Sequence, residues 1–223
     1  MPTNNSAQEE VQGISARALA GWEIVSVVVS CLLAEWFVLS FFGKSRWAVV
    51  IPASLALVLV IYSHVTYGEN PRQLGFRFDN FFTACRTLVV PTIIGLLVVL
   101  VVSWLAGSLS LKPLRWRYLL LPFWALFQQY VLQGFINRRA QMILGSGFAS
   151  VLLVAFIFAL LHLPNPLLTV ITFIGGALFA AVYQRQPNLF AIAISHSLVS
   201  LFLALSWPAN ALNNLRVGFK FFG

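Results

Sequence analysis

Long runs of apolar residues, separated by short polar segments, dominate the chain. A helix needs about 20 apolar residues to cross the hydrocarbon core of a bilayer. Seven runs come near that length or exceed it: residues 20–42, 47–67, 82–106, 118–136, 148–163, 167–183 and 189–207. The pattern predicts an all-α fold, a polytopic bundle of about seven transmembrane helices, because lipid-exposed backbone tolerates little else.

The polar ends of the chain bracket one membrane domain. We expect a polar N-terminal tail over residues 1–19, a single integral membrane domain over residues 20–207, and a basic aromatic C-terminal tail over residues 208–223. The N-terminal tail is mixed in charge and lacks the basic segment and short apolar core of a signal peptide. The first span is therefore expected to stay in the mature protein.

Composition supports a multi-pass integral membrane protein, which we expect in a prokaryotic inner (plasma) membrane. The 223 residues are 60% hydrophobic and only 9% charged, whereas a soluble domain carries about 25% charge. The net charge of +8 does not indicate a nucleic-acid partner, because the basic residues lie singly or in pairs between apolar runs. There they would anchor loops to anionic headgroups. Lys and Arg divide evenly between the two sides, so orientation stays open, and the two cysteines suggest no disulfide framework.

Three glutamines lie at the end of the fourth run, in the stretch FQQYVLQGFINRR. On a helix, Gln129 and Gln133 share one face and Gln128 lies about 100° away. Gly134 would let another helix approach closely. Amides at this depth need partners, so the cluster predicts either an amide zipper between helices or a functional site.

Ionisable side chains also occur within the apolar runs. Glu35 lies well inside the first run and is either a functional acid or a protonated group bonded to a neighbouring helix. Glu23 is expected to reach the interface, and His64, between two tyrosines, is interpreted as part of an interfacial aromatic belt. His162 and His196 lie in different runs and can meet between helices, where neutral imidazole donates or accepts without carrying charge.

The order of these polar groups resembles that of the CPBP family, the CAAX-processing and bacteriocin-processing intramembrane proteases. The family's motifs read Glu-Glu-x-x-x-Arg, Phe-x-x-x-His and His-x-x-x-Asn or Asp. The matching positions are Gln128, Gln129, Gln133 and Gly134, then Phe158 and His162, then His196 and Ser200. The resemblance covers residues 118–203 and implies a helical core in which the first Glu, with the histidines, activates water against a peptide carbonyl.

The chain departs from this pattern where the chemistry should lie. Both motif glutamates are glutamines, the arginine is Gln133 and the asparagine is Ser200. A primary amide cannot accept a proton, so Gln128 cannot be a general base, although it can hold water or donate to an oxyanion. Because all the charged residues of the first motif are replaced by neutral ones, no buried charge is left without a partner.

Two functions follow from the resemblance. One is an atypical endopeptidase with His162 or His196 as the base, in which Gln128 and Gln129 position water and Ser200 assists. Gln133 and Phe158 would support the site, and Glu35 would supply the missing carboxylate if the first span packs against it. The other function is a pseudoprotease that binds a peptide or partner protein without cleaving it.

The implied partners are a membrane-embedded or lipidated protein or peptide and the lipid bilayer, with no cofactor and no nucleic acid. The oligomeric state stays open. A metal site is a weaker alternative, because two histidines are too few for a catalytic zinc. A small transporter is weaker still, because the sequence carries no internal repeat.

Overall fold

The computed structural model describes residues 4–42, 46–107, 109, 112–113, 115–208 and 212–222, which form seven helical rods. The first four are α1 (Asn4–Leu32) continued by a π-helix (Leu33–Val38) and α2 (Leu39–Phe42), α3 (Arg46–Thr66), α4 (Phe81–Leu105), and α5 (Leu121–Gln129) continued by a π-helix (Tyr130–Asn137) and α6 (Arg138–Leu144). The other three are α7 (Phe148–Leu160), α8 (Pro166–Arg185) and α9 (Leu189–Ser206). Short 3₁₀ turns lie at Trp116–Leu120, Asn213–Leu215 and Gly218–Phe222. The predicted all-α class is confirmed.

Helix length and composition agree with a membrane bundle. Five helices are long and apolar enough to cross a membrane: Ser15–Val38, Phe81–Leu105, Tyr118–Leu144, Pro166–Arg185 and Leu189–Ser206. Val50–Thr66 and Phe148–Leu160 are apolar but shorter. Each predicted run therefore coincides with a helix.

Two helix boundaries differ from the prediction. The fourth span was expected to end near Ile136, but the helix continues to Leu144. It can do so because Arg139, expected at its end, finds buried ionic partners. The first helix begins at Asn4, inside the segment expected to be a polar tail.

Two asparagines explain why helices begin after the Pro-Asn pairs. The Asn165 side chain accepts from the Leu168 amide at 3.2 Å, and the Asn188 side chain accepts from the Ala191 amide at 3.0 Å. Such N-caps satisfy amides that have no partner inside the helix. Their Nδ2 atoms also donate across the fold, from Asn165 to the carbonyl of Leu212 and from Asn188 to that of Arg77, each at 2.8 Å.

Loops meet at the two ends of the bundle. At one end, which we name the Glu69 face, the loop of residues 67–80 bonds to the start of α9 through Leu189 N–H and the Gly75 carbonyl. At the other, which we name the tail face, residues 212–222 pack on the turn after α7 through Gly218 N–H and the Leu163 carbonyl. The described part of the predicted C-terminal tail, residues 212–222, is therefore docked on the bundle.

Gly176 allows α8 to approach α7 closely. A methyl group there would lie 3.1 Å from Ala155 Cα and 3.2 Å from the Phe158 ring. Gly176→Ala should lower the free energy of unfolding by about 1–3 kcal/mol, because backbone and ring must both shift. The matched control is Gly175→Ala, whose methyl would meet Phe179 at an ordinary 3.8 Å. Thermal melting in one detergent compares the two, and equal melting temperatures would contradict the prediction.

Candidate active site

The first and third motifs meet where α5 ends beside α9. Gln129, the last residue of α5, is fully buried, and its Nε2 lies 3.0 Å from His196 Nδ1. The two residues are brought together because α5 packs along α9. An amide nitrogen only donates, so in this orientation Nδ1 of His196 accepts and Nε2 of the neutral ring carries the proton.

His162 lies in the turn that follows α7. Its Nδ1 is 2.6 Å from the carbonyl oxygen of Phe158. A carbonyl only accepts, so Nδ1 of His162 carries the proton and its Nε2 has the free lone pair. The backbone of the second motif therefore fixes the tautomer of its own histidine.

Phe158 joins the two histidines. The centroid of its ring lies 4.7 Å from that of His162 and 5.8 Å from that of His196, edge-on in both cases. The Phe158 ring also packs against Gly176, where α8 closely approaches α7. The apolar residue of the second motif thus contacts both imidazoles.

Gln133 belongs to a different polar network. It is fully buried, and its Oε1 accepts from Asn137 Nδ2 at 2.8 Å. The Asn137 oxygen in turn accepts from Gln184 at 3.0 Å, and Gln184 also donates to Ser150 at 2.9 Å. This amide chain ties the site helix to α7 and α8. The sequence interpretation missed its other members, although Asn137 lies at helical spacing from Gln133.

Gln128 and Ser200 lie next to this site without a direct bond to it. Both are partly buried, Gln128 beside Gln129 and Ser200 four residues after His196 on α9. Within the part of the chain that the structure describes, neither hydrogen-bonds to a histidine. Gly134 was expected to let another helix approach closely. It is buried, but the atoms nearest to a methyl group placed there belong to the Tyr130 ring and, at 3.7 Å, to a loop carbonyl.

Glu35 lies in the π-helical segment of the first rod and contacts the tail. Its Oε2 is buried with no hydrogen-bond partner among the described residues. A methyl group at Gly218 would lie 2.8 Å from its Cβ, so the tail backbone presses against it. No contact described for Glu35 reaches His162 or His196.

A second buried polar cluster lies toward the Glu69 face, centred on Arg139. This side chain is fully buried and donates to Glu23 at 2.8 Å, to Glu69 at 2.9 and 3.1 Å, and to Ser63 at 2.7 Å. Its guanidinium also lies 4.1 Å from the centroid of the Tyr67 ring. The expectation that this arginine anchors a loop to headgroups was wrong, because α1, α3 and the loop after α3 enclose it.

Glu69 collects most of the bonds in this cluster. Its carboxylate accepts from Arg138 at 2.6 Å and lies 2.7 Å from His64 Nδ1. Burial alone would raise the pKa of Glu69, but hydrogen bonds from His64, Arg139 and Arg138 outweigh it and hold that pKa well below its usual range. His64 is only 4% exposed, so its assignment to an interfacial belt was also wrong.

Among the described residues, no three His, Cys, Asp or Glu side chains converge as a metal ion would require. The contacts described in the two polar clusters are hydrogen bonds and ion pairs. One is neutral and contains the motif histidines, and the other is ionic and balances two arginines with two glutamates.

Comparison with known families adds one match. The model of the type II CAAX prenyl endopeptidase Rce1-like family matches residues 111–202, a segment that contains all three motifs. No curated protein and no solved structure matches the chain significantly. The family match covers the helices that carry Gln129, His162 and His196 and agrees with the resemblance found in the motifs. Residues 111–202 of this membrane protein therefore form a domain of the Rce1-like type II CAAX prenyl endopeptidase (CPBP) family, whose members are intramembrane endopeptidases.

Proposed function

We propose that this protein is an intramembrane endopeptidase that uses an activated water on a membrane-embedded or lipidated peptide. One observation carries the proposal: the two motif imidazoles offer opposite hydrogen-bonding groups. His162 Nε2 has a lone pair because its Nδ1 bonds to the Phe158 carbonyl. With the Gln129 amide in this orientation, its Nε2 donates to His196 Nδ1, which leaves the proton of the neutral imidazole on Nε2. Hydrolysis of an amide needs such an acceptor for water and such a donor for the oxyanion.

The reaction can be written with these groups alone. His162 Nε2 takes a proton from water as the water oxygen bonds to the scissile carbonyl carbon. The resulting oxyanion accepts from His196 Nε2–H. The protonated His162 then gives its proton to the amide nitrogen, the C–N bond breaks, and an acid and an amine leave.

The glutamines act as positioning residues in this scheme. Gln129 fixes the tautomer of His196 through the 3.0 Å bond, which is the orienting role that an amide can fill without being a base. Gln128, beside it, would hold the attacking water, and Ser200 would assist the oxyanion. Phe158 and Gln133 support the site by packing and by the amide chain, whereas Glu35 is assigned no step.

Lipid-facing aromatic side chains support lateral access to the site. Trp124 and Phe127 precede Gln128 on α5, stack with centroids 5.7 Å apart, and are 56% and 40% exposed. An apolar segment or a lipid chain on the substrate can lie against them while the peptide bond reaches the histidines. We place the protein in a prokaryotic plasma membrane, where such substrates are embedded or anchored.

A pseudoprotease is the second candidate. It is favoured by the absence of any carboxylate bonded to either histidine among the described residues. Without a carboxylate to stabilise an imidazolium, each histidine is a weaker base. The same fold would then bind a membrane peptide, a lipidated tail or a partner protein without hydrolysing it.

Cleavage of a mixed library of transmembrane and prenylated C-terminal peptides, read by mass spectrometry, tests the proposal. We expect purified wild-type protein to cleave, and His196→Ala to slow cleavage by about 10²–10³-fold through loss of the oxyanion donor. Peptides that bind to the wild type but stay intact would contradict the endopeptidase and support the pseudoprotease. Restored cleavage in Gln128→Glu would then identify the missing carboxylate as the cause.

A further inference from the structure

A cavity of about 690 Å³ opens at the tail face, and neither His162 nor His196 is among its lining residues. Its walls come from three separate parts of the chain: the segment between α4 and α5, the last turn of α9, and the tail. Three of its lining side chains are cationic, namely Lys112, Arg115 and Arg216, and none of its lining residues is acidic. A concave site with this balance of charge attracts anions.

Lys112 is fixed on the wall of the cavity by the end of α9. Its backbone N–H donates to the Leu205 carbonyl at 3.1 Å, and its Nζ donates to the Ala204 carbonyl at 3.2 Å. Cations are favoured at a helix C-terminus, where the last carbonyls have no partner inside the helix. The ammonium is therefore held in place before any ligand binds.

The tail holds the third cation in position through its backbone. Asn165 Nδ2 donates to the carbonyls of Leu212 and Arg216, at 2.8 and 3.3 Å. Gly218 N–H, two residues later, donates to the Leu163 carbonyl at 2.8 Å. The segment that contributes Arg216 is thus bonded to the turn that carries His162.

Exposed aromatic side chains near this cavity are typical of the headgroup region of a membrane. Trp104 lies at the end of α4 and is 67% exposed, and Trp116 lies between α4 and α5 and is 78% exposed. Phe222, at the end of the tail, is 67% exposed. Tryptophan is enriched at membrane–water interfaces. Tyr118 and Trp207 also line the cavity, so part of its wall is apolar.

The distribution of acids gives an independent argument. The segments of residues 106–120 and 207–223 contain five Lys or Arg residues and no Asp or Glu. At the Glu69 face, by contrast, Arg138 and Arg139 are neutralised by carboxylates. The two ends of the bundle therefore differ in how many acidic residues accompany the lysines and arginines along the chain.

We propose that the tail-face cavity binds a phosphate group, either on an anionic lipid headgroup or free in solution. The phosphate would lie between Lys112 and Arg115, whose segments are adjacent in the chain, with Arg216 closing the site from the tail. Basic pockets between transmembrane helices bind such headgroups. This site does not depend on peptide hydrolysis, because none of its residues belongs to the three motifs.

Native mass spectrometry of the protein from nanodiscs tests the proposal. The discs contain phosphatidylcholine alone or with phosphatidylglycerol, and a third arm adds inorganic phosphate to the phosphatidylcholine discs. We expect the wild-type protein to retain phosphatidylglycerol, or to bind inorganic phosphate in the third arm. The first result identifies a lipid as the source and the second identifies free phosphate. The variant Lys112→Gln/Arg115→Gln should bind the same anion about tenfold more weakly.

Two further variants separate a specific site from general charge and folding effects. Arg86→Gln/Arg185→Gln removes the same charge from exposed positions toward the Glu69 face and should leave binding unchanged. Lys112→Arg/Arg115→Lys keeps the charge and should retain binding. The proposal would be overturned if Lys112→Gln/Arg115→Gln and Arg86→Gln/Arg185→Gln lost anion binding equally. It would also be overturned if the wild-type protein retained no anion in any arm.

Discussion

Replacing His162 by alanine should slow peptide cleavage by about 10²–10⁴-fold, the usual contribution of a positioned general base. The carbonyl of Phe158 holds the Nδ1 proton of His162, so Nε2 is the only atom of that ring able to take a proton from water. Alanine removes this atom and leaves the bond between Gln129 and His196 in place. The loss should therefore appear in kcat, with peptide binding little changed.

The conservative companion is His162→Gln. Glutamine can still donate to the Phe158 carbonyl but cannot act as a base, so His162→Gln should cleave peptides as slowly as His162→Ala. Single-turnover cleavage and peptide binding are measured for both, with thermal melting to confirm that each variant is folded. Cleavage by either variant within threefold of the wild type would exclude His162 as the base and leave His196 as the candidate.

Replacing Arg139 by methionine should lower the free energy of unfolding by about 3–5 kcal/mol. Methionine leaves Glu23 and Glu69 with fewer partners in a buried site, where an uncompensated carboxylate is costly. Glu69 would keep Arg138 and His64, whereas Glu23 loses its ion-pair partner. The measurement is reversible unfolding in mixed micelles.

Arg185→Met is the matched control for this prediction. Arg185 is exposed in the last turn of α8, and losing it should cost less than about 1 kcal/mol. The double variant Arg139→Met/Glu23→Gln should recover part of the loss, because the stranded carboxylate is also removed. A single-variant effect as small as that of Arg185→Met would show that the cluster does not stabilise the fold.

The helices were predictable because a bilayer imposes a simple rule on the backbone. Every N–H and C=O at membrane depth must be satisfied within the chain, so each apolar run becomes a helix. The contact between Gln129 and His196 was also foreseeable, because polar side chains at membrane depth are stabilised by hydrogen bonds between helices. The assignment of these residues to one site rested on their order along the chain.

The ionic cluster was not predictable in the same way. Glu23 and Arg139 are 116 positions apart, so no local pattern links them. His64 looked like an interfacial residue because tyrosines lie near it in the sequence, but contacts with Glu69, Tyr130 and Phe135 bury it. The π-helical geometry of the eight residues after Gln129 was not predictable from the apolar pattern either, and it alters which side chains share a face.

That π-helical stretch, Tyr130–Asn137, lies between Gln129 and Arg139 and determines the angle around the helix axis that separates these two side chains. A π-helix has i→i+5 bonds and so accommodates extra residues within a turn. Losing one residue there can convert part of the stretch to α-helix, with the bundle absorbing the change locally. The same deletion inside Pro166–Arg185 would turn every later side chain by about 100°. Tolerance to single-residue changes in length should therefore be greatest between the two polar clusters.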